Sequence, residues 1–174
     1  DFGLKGIHYG YQEKEGGIAE ALGLAEYFAD GEKVVVMLGD NIIEKSIKSE
    51  VEKFAAQVEG ARILLKDVPN PERFGVVEFE GEKIISITEK PENPKTNSAV
   101  TGIYMYDGCV FDFIKKLEPS ARGELEITDV NNMYLQKGQL EYSKLDGWWT
   151  DAGTFDSLLN ASQLIADKEQ KAKG

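Results

Sequence analysis

The chain has 174 residues, enough for one domain with a substantial core, and its 41% hydrophobic and 29% charged composition is that of an ordinary globular protein. Its 31 acidic against 20 basic residues, a net charge of −11, argue against a nucleic-acid partner, which requires a basic face, and no stretch approaches the ~20 apolar residues of a membrane span. One cysteine (Cys109) leaves no internal disulfide, and one histidine (His8) leaves no multi-histidine metal site.

In chain order, residues 17–29 read as a helix with Ile18, Leu22 and Ala25 on one face and a stop at Gly31. Residues 33–38 contain an unbroken apolar run, Val34 to Met37, which predicts a strand buried on both faces and ended by Gly39. A helix over 47–58 follows, with Ile47, Val51, Phe54, Ala55 and Val58 at helical spacing, and then an apolar strand over 61–65. Strand, helix, strand with short links is the pattern of a crossover unit. Residues 75–80 and 83–89 alternate around Gly81 and read as a hairpin. Further elements are a strand over 100–106, helices over 108–117 and 127–137, a strand over 140–145, and a last helix over 154–167 with Phe155, Leu158, Leu159 and Ile165 inward. The tail, 168–174, is charged and expected to fray. The whole predicts one α/β domain with a mixed, mainly parallel sheet and helices on both faces, with ligands at the strand C-termini. Cys109 is expected as a small buried hydrophobe and His8 as structural.

Five stretches could carry chemistry. Asp40 follows the 33–38 strand in Leu38-Gly39-Asp40-Asn41, where a carboxylate suits Mg2+ and ordinary turn chemistry is the alternative. Asp151, in Trp149-Thr150-Asp151-Ala152-Gly153-Thr154, either caps the last helix or converges on Asp40 as a second Mg2+ carboxylate. Glu89-Lys90-Pro91 ends the hairpin. Glu89 could accept hydrogen bonds from sugar hydroxyls and Lys90 could meet a phosphate, or the two could be a solvated pair. Arg122 stands beside Gly123 with a planar fork suited to phosphate, while Glu124, Glu126 and Asp129 read as acids opening a helix. Gln12 precedes Gly16-Gly17, where its amide could read a pyrimidine edge and a plain helix-start loop is the alternative.

The order of these stretches resembles the sugar-phosphate nucleotidyltransferase family, and within it the thymidylyltransferases. The matching pieces are Gln12 with Gly17-Ile18-Ala19-Glu20-Ala21, Leu38-Gly39-Asp40-Asn41, Phe74-Gly75-Val76-Val77, Glu89-Lys90-Pro91, Thr101-Gly102-Ile103-Tyr104, the run from Arg122 to Asn131, and Asp151-Ala152-Gly153-Thr154. The resemblance implies a Rossmann-like nucleotidyltransferase domain over residues 1–174. It implies that Gln12 and Gly17 hold thymine, that Asp40 and Asp151 bind Mg2+, that Gly75, Glu89 and Val100 contact the sugar, and that Lys90 and Arg122 contact its phosphate. The implied reaction joins dTTP and glucose 1-phosphate into dTDP-glucose and pyrophosphate, in a cytoplasmic enzyme that is a homo-oligomer at full length. A non-catalytic sugar-phosphate-binding or partner subunit, or a uridylyl or guanylyl transferase, is the alternative. Three departures stand out. The family's first strand and Gly-rich loop, with its arginine and following lysine, do not precede Asp1, so the chain alone is expected to turn over little or not at all. Lys14-Glu15 and Phe74 stand where a proline and a tyrosine are usual.

Overall fold

The computed structural model of the chain describes residue 3 and residues 6–173, the side chains of 169–173 excepted. Its centre is one strand, β6 (Ser98–Tyr106), which is buried along its whole length. Two strands earlier in the chain, β1 (Val34–Met37) and β3 (Ala61–Asp67), run antiparallel to it. The hairpin β4 (Gly75–Glu80) and β5 (Lys83–Glu89) joins through β4, while β7 (Leu140–Lys144) lies parallel to β3. The order is β5-β4-β6-β3-β7, with β1 also on β6.

The sheet is mixed, as expected, but its balance is the reverse of the mainly parallel one: only the β3–β7 pair is parallel among the described strands. The reason lies in the crossover. Helix α3 (Lys48–Ala56) links β1 to β3, and these two strands do point the same way. They are set one strand apart, however, and β6 fills the gap from the opposite direction.

Alternation along β3 and β6 divides the core in two. Ala61, Ile63, Leu65, Tyr104 and Tyr106 meet α1 (Ile18–Gly23), α2 (Glu26–Ala29), α4 (Val110–Ile114) and α5 (Ile127–Gln136) on one face. Leu64, Ile103 and Met105 meet Phe54 of α3 and Trp149 on the other. Helices therefore cover both faces. Tyr106 donates to Asn131 Oδ1 at 2.6 Å and Tyr134 donates to Asp107 Oδ1 at 2.7 Å, which satisfies two phenols whose pKa values burial drives upward.

Several sequence expectations are corrected. The 17–29 helix is two short helices, broken at Leu24-Ala25 and ended by Asp30 in the left-handed region at φ 48°. Strand β1 is not buried on both faces: Val34 and Val36 pack against the core, while Val35 and Met37, on the opposite face, are 46% and 47% exposed. Helix α3 ends at Ala56, so Val58 lies outside it and is exposed, and Ala55 faces solvent. Helix α6 (Phe155–Lys173) turns Phe155, Leu158, Leu159 and Ile165 outward. Its packed face is Ser157, Ala161 and Leu164, at helical spacing, with Lys168 bonding the Glu44 carbonyl at 2.7 Å. Small side chains let this helix lie close on its support, and a count of large apolar residues misses them. The helix continues through the tail expected to fray, whose last side chains lie outside the described residues, as do Leu4 and Lys5. Cys109 is exposed at the start of α4; partial desolvation and the Asp107 carboxylate push its thiol upward, away from nucleophilic character. His8 is exposed and tilts against Phe28, ring centres 4.7 Å apart.

Candidate active site

Two elements too short to show any periodicity build the site: β2 (Asn41–Ile43) and β8 (Trp149–Asp151), paired antiparallel with Asn41 opposite Asp151. This ribbon brings the Asp40 and Asp151 stretches together across 110 residues of sequence, and the Ala152 amide donates to the Asp40 carbonyl at 2.8 Å. Asn41 ties the ribbon to β6. Its Oδ1 accepts from the Gly102 amide (2.9 Å) and the Trp149 indole (2.7 Å), and its Nδ2 donates to Asp40 Oδ1 (2.9 Å). A Cβ placed on Gly153 would stand 3.2 Å from Asp40 Oδ2 and 3.6 Å from Asp151 Oδ2, so both carboxylates flank one gap kept open by a glycine.

The hairpin supplies the opposite wall. Gly75 and Glu89 are paired residues of β4 and β5. A Cβ on Gly75 would lie 3.2 Å from Thr128 Oγ1, 3.4 Å from Glu89 Oε2 and 3.7 Å from Val100 Cγ2. Thr128, in the first turn of α5, donates to Glu89 Oε2 at 2.6 Å and so fixes that carboxylate. Lys90 holds φ at 42°, a left-handed conformation rare for a side-chain-bearing residue, secured by its amide on the Phe74 carbonyl at 3.0 Å. Its ammonium has no ion-pair partner among the described residues.

Arg122 is braced by carboxylates. It meets Glu126 at 2.8 Å and 3.1 Å, Glu124 at 3.1 Å and Glu89 at 3.9 Å, which raises its pKa further. Burial works to raise the Glu126 carboxyl, but hydrogen bonds from Arg122 and Ser120 outweigh it and hold it below its ordinary value. Glu124 and Glu126 are thus arginine clamps more than helix-opening acids. Asp129 keeps that opening place in the first turn of α5, where burial and Glu126 raise its pKa.

These residues enclose a cavity of about 250 Å³ that brings together Asp40, Asp151, Gly75, Glu89, Lys90, Val100 and Arg122. Gln12 and Gly17 do not line it. Gln12 donates to Glu20 at 2.7 Å and to the Gly17 carbonyl at 3.3 Å. Gly17, at φ 94°, passes so near Leu125 that a Cβ would be 2.5 Å from its carbonyl oxygen. Arg73, to which no sequence motif points, also lines the cavity and pairs with Asp151 at 2.8 Å. Its only sequence signal is a cation just ahead of the Phe74-Gly75 turn into β4. Thr128 lay inside a matching stretch without a role.

In all, Arg73, Lys90 and Arg122 face five carboxylates: Asp40, Asp151, Glu89, Glu124 and Glu126. That excess of two negative charges, with two carboxylates around the Gly153 gap, fits the oxygen-donor chemistry of a hard divalent cation. One hollow thus combines a carboxylate fixed by Thr128, three cations and the Asp40–Asp151 pair. The chain belongs to the nucleotidyl transferase family, which it matches over residues 3–168.

Among relatives, the chain is 46% identical over 169 residues to the glucose-1-phosphate thymidylyltransferase of Neisseria meningitidis serogroup A, covering 95% of this chain and 58% of that protein. It is 39% identical to the low-salt glycan biosynthesis nucleotidyltransferase Agl11 of Haloferax volcanii, over all of this chain and 49% of that one. A Bacillus anthracis crystal structure provisionally assigned as a glucose-1-phosphate thymidylyltransferase, in complex with a sucrose, superposes with a TM-score of 0.83 at 57% identity, covering 88% of this chain and 62% of that one. The fold also matches UDP-glucose pyrophosphorylase complexed with UDP-glucose at a TM-score of 0.81 and 21% identity, over 90% of this chain and 64% of that one. The chain thus spans about half to three fifths of the length of these curated relatives. No helix among the described residues is long and apolar enough to cross a membrane.

Proposed function

We propose that this chain forms the sugar-phosphate and metal-carboxylate part of an enzyme that transfers thymidylate from dTTP to glucose 1-phosphate, giving dTDP-glucose and pyrophosphate. The observation that carries the reading is the convergence of Asp40, Asp151, Glu89, Lys90 and Arg122 on one cavity, in a chain 46% identical to a named glucose-1-phosphate thymidylyltransferase. Glu89, held by Thr128, accepts hydrogen bonds from sugar hydroxyls, with Gly75 and Val100 shaping the floor. Lys90 meets the sugar's phosphate as a point charge, and Arg122 reaches it from the clamp of Glu124 and Glu126.

A phosphate oxygen of glucose 1-phosphate then attacks the α-phosphorus of dTTP. A new P–O bond forms, the bond to the β-phosphate breaks, and pyrophosphate leaves with the electron pair. No side chain needs to act as nucleophile; the residues position the acceptor and offset charge. Mg2+ on Asp40 and Asp151 would supply charge neutralisation at the phosphates. Gln12 and Gly17 would serve the thymine from the turn before α1, outside the cavity.

Two measurements test the reading. Glucose 1-phosphate should show saturation-transfer NMR contact with the protein, lost in Glu89→Gln and Lys90→Ala. Any turnover with Mg2+, glucose 1-phosphate and either dTTP or UTP, however slow, should favour dTDP-glucose over UDP-glucose. Absence of both sugar-phosphate binding and product overturns the proposal, and a preference for UTP overturns its nucleotide.

A further inference from the structure

The cavity wall contains an ion pair that the reaction does not call for. Arg73 Nη2 lies 2.8 Å from Asp151 Oδ2. That is the same oxygen that, with Asp40 Oδ2, flanks the gap kept open by Gly153. The guanidinium therefore sits on the atom a divalent cation would use. The pairing is built in rather than casual. Arg73 closes a short 3-10 helix, Pro71–Arg73, and its guanidinium stands 5.3 Å from the centre of the Phe74 ring, which packs edge-on against Trp149.

A second cavity, of about 570 Å³, lies on the other side of this pair. Arg73, Phe74, Trp149 and Asp151 line both hollows, so the ion pair is part of the partition between them. The wall of the second hollow also carries Asp156, an alternative acidic neighbour for an arginine turned away from Asp151. Neighbouring carboxylates without a counter-ion repel one another. Arg73 supplies that counter-ion from within the chain.

We propose that Arg73 is a competing counter-ion that sets the metal affinity of the site: it occupies Asp151 while the divalent cation is away and gives up that oxygen when the cation arrives. The inference rests on the reading of Asp40 and Asp151 as metal carboxylates. It predicts that removing the Arg73 charge tightens metal binding instead of weakening it, the opposite of what loss of a structural arginine would do. Half-exposed ion pairs are worth up to ~1 kcal/mol, which sets the expected gain at about five-fold.

The experiment is a Mn2+ titration of the protein without nucleotide, followed by the free-ion EPR signal, on wild type, Arg73→Met, Arg73→Lys and Asp151→Asn. Methionine keeps an apolar stem over Phe74 and removes the charge. Arg73→Met should bind Mn2+ about five-fold more tightly, Arg73→Lys should stay near wild type, and Asp151→Asn should weaken binding. Unchanged or weaker binding in Arg73→Met, with Asp151→Asn still weakened, overturns the competition while leaving the metal carboxylates in place. Absence of Mn2+ binding in both wild type and Arg73→Met overturns both. A second measurement needs no variant at Arg73. In arginine-detected NMR of the wild-type protein, the Arg73 guanidinium signal should move as Mg2+ saturates the site, and a signal that stays fixed through saturation overturns the proposal.

Discussion

Asn41 Oδ1 accepts the Trp149 indole N–H at 2.7 Å, and the same oxygen takes the Gly102 amide at 2.9 Å. One buried atom thereby joins the strand that follows Asp40, the strand that ends in Asp151, and the central strand. Asn41→Ala would leave two buried donors without a partner. At ~1–3 kcal/mol for each such group, relieved partly by relaxation, the expected loss is about 3 kcal/mol. Urea unfolding reads this loss directly. A cost under ~1 kcal/mol would show that the two donors find other partners.

Gly153→Ala tests the gap between the carboxylates. The added Cβ would press on Asp40 Oδ2 at 3.2 Å, where a slight retreat of the carboxylate relieves it. Folding stability should change by less than ~1 kcal/mol. Mn2+ affinity should fall several-fold, because the two oxygens can no longer close on one ion. Unaltered affinity would place the cation elsewhere.

Gly17→Ala should be costly without any ligand present. The residue holds φ at 94°, and its Cβ would meet Leu125 O at 2.5 Å and Leu125 N at 2.9 Å. Backbone strain and overlap together predict a loss of about 2–3 kcal/mol and a lower melting temperature. The Gly16–Leu125 and Ala19–Leu125 backbone hydrogen bonds should be the first to open by hydrogen exchange. A variant as stable as the wild type would return Gly17 to a purely ligand-facing role.

Glu126→Gln carries a pH signature. The Glu126 carboxyl sits below its ordinary value of 4.5 in the folded protein, despite burial, through Arg122 and Ser120. The unfolded chain therefore takes up the proton first as pH falls. The stabilisation is complete above about 4.5 and disappears as pH drops through the lower folded value. The variant should be less stable than wild type by about 1 kcal/mol at pH 7 and converge with it in acid. A difference independent of pH would mean that the carboxylate charge contributes nothing.

The elements with strong periodicity were legible: the hairpin at 75–80 and 83–89 has the same bounds in the structure, and α5 and β7 differ from their expected ends by one residue. An apolar run is not by itself proof of burial on both faces. Val34 to Met37 alternates between half-buried and exposed, while the strand buried throughout is β6, which contains Ser98, Thr101 and Gly102. Among the expected residues that line the cavity, Asp40 follows β1, Lys90 follows the hairpin and Asp151 closes β8, places that sequence order makes visible. Arg73 was not legible, because its meaning lies in reaching Asp151, 78 residues away, through a wall assembled by three-residue strands. No local spacing encodes that distance.

The position of β6 also bears on how the chain must be made. It is the partner of both β1 and β3, yet it is synthesised after them. In the finished sheet β6 lies between the two earlier strands, so neither is the other's native partner. Among the described strands, residues 34–37 and 61–67 gain their shared partner only when residue 106 is available, which leaves the apolar Val-Val-Val-Met segment without β6 until then. For that interval the apolar segment has only half of the sheet it will finally join.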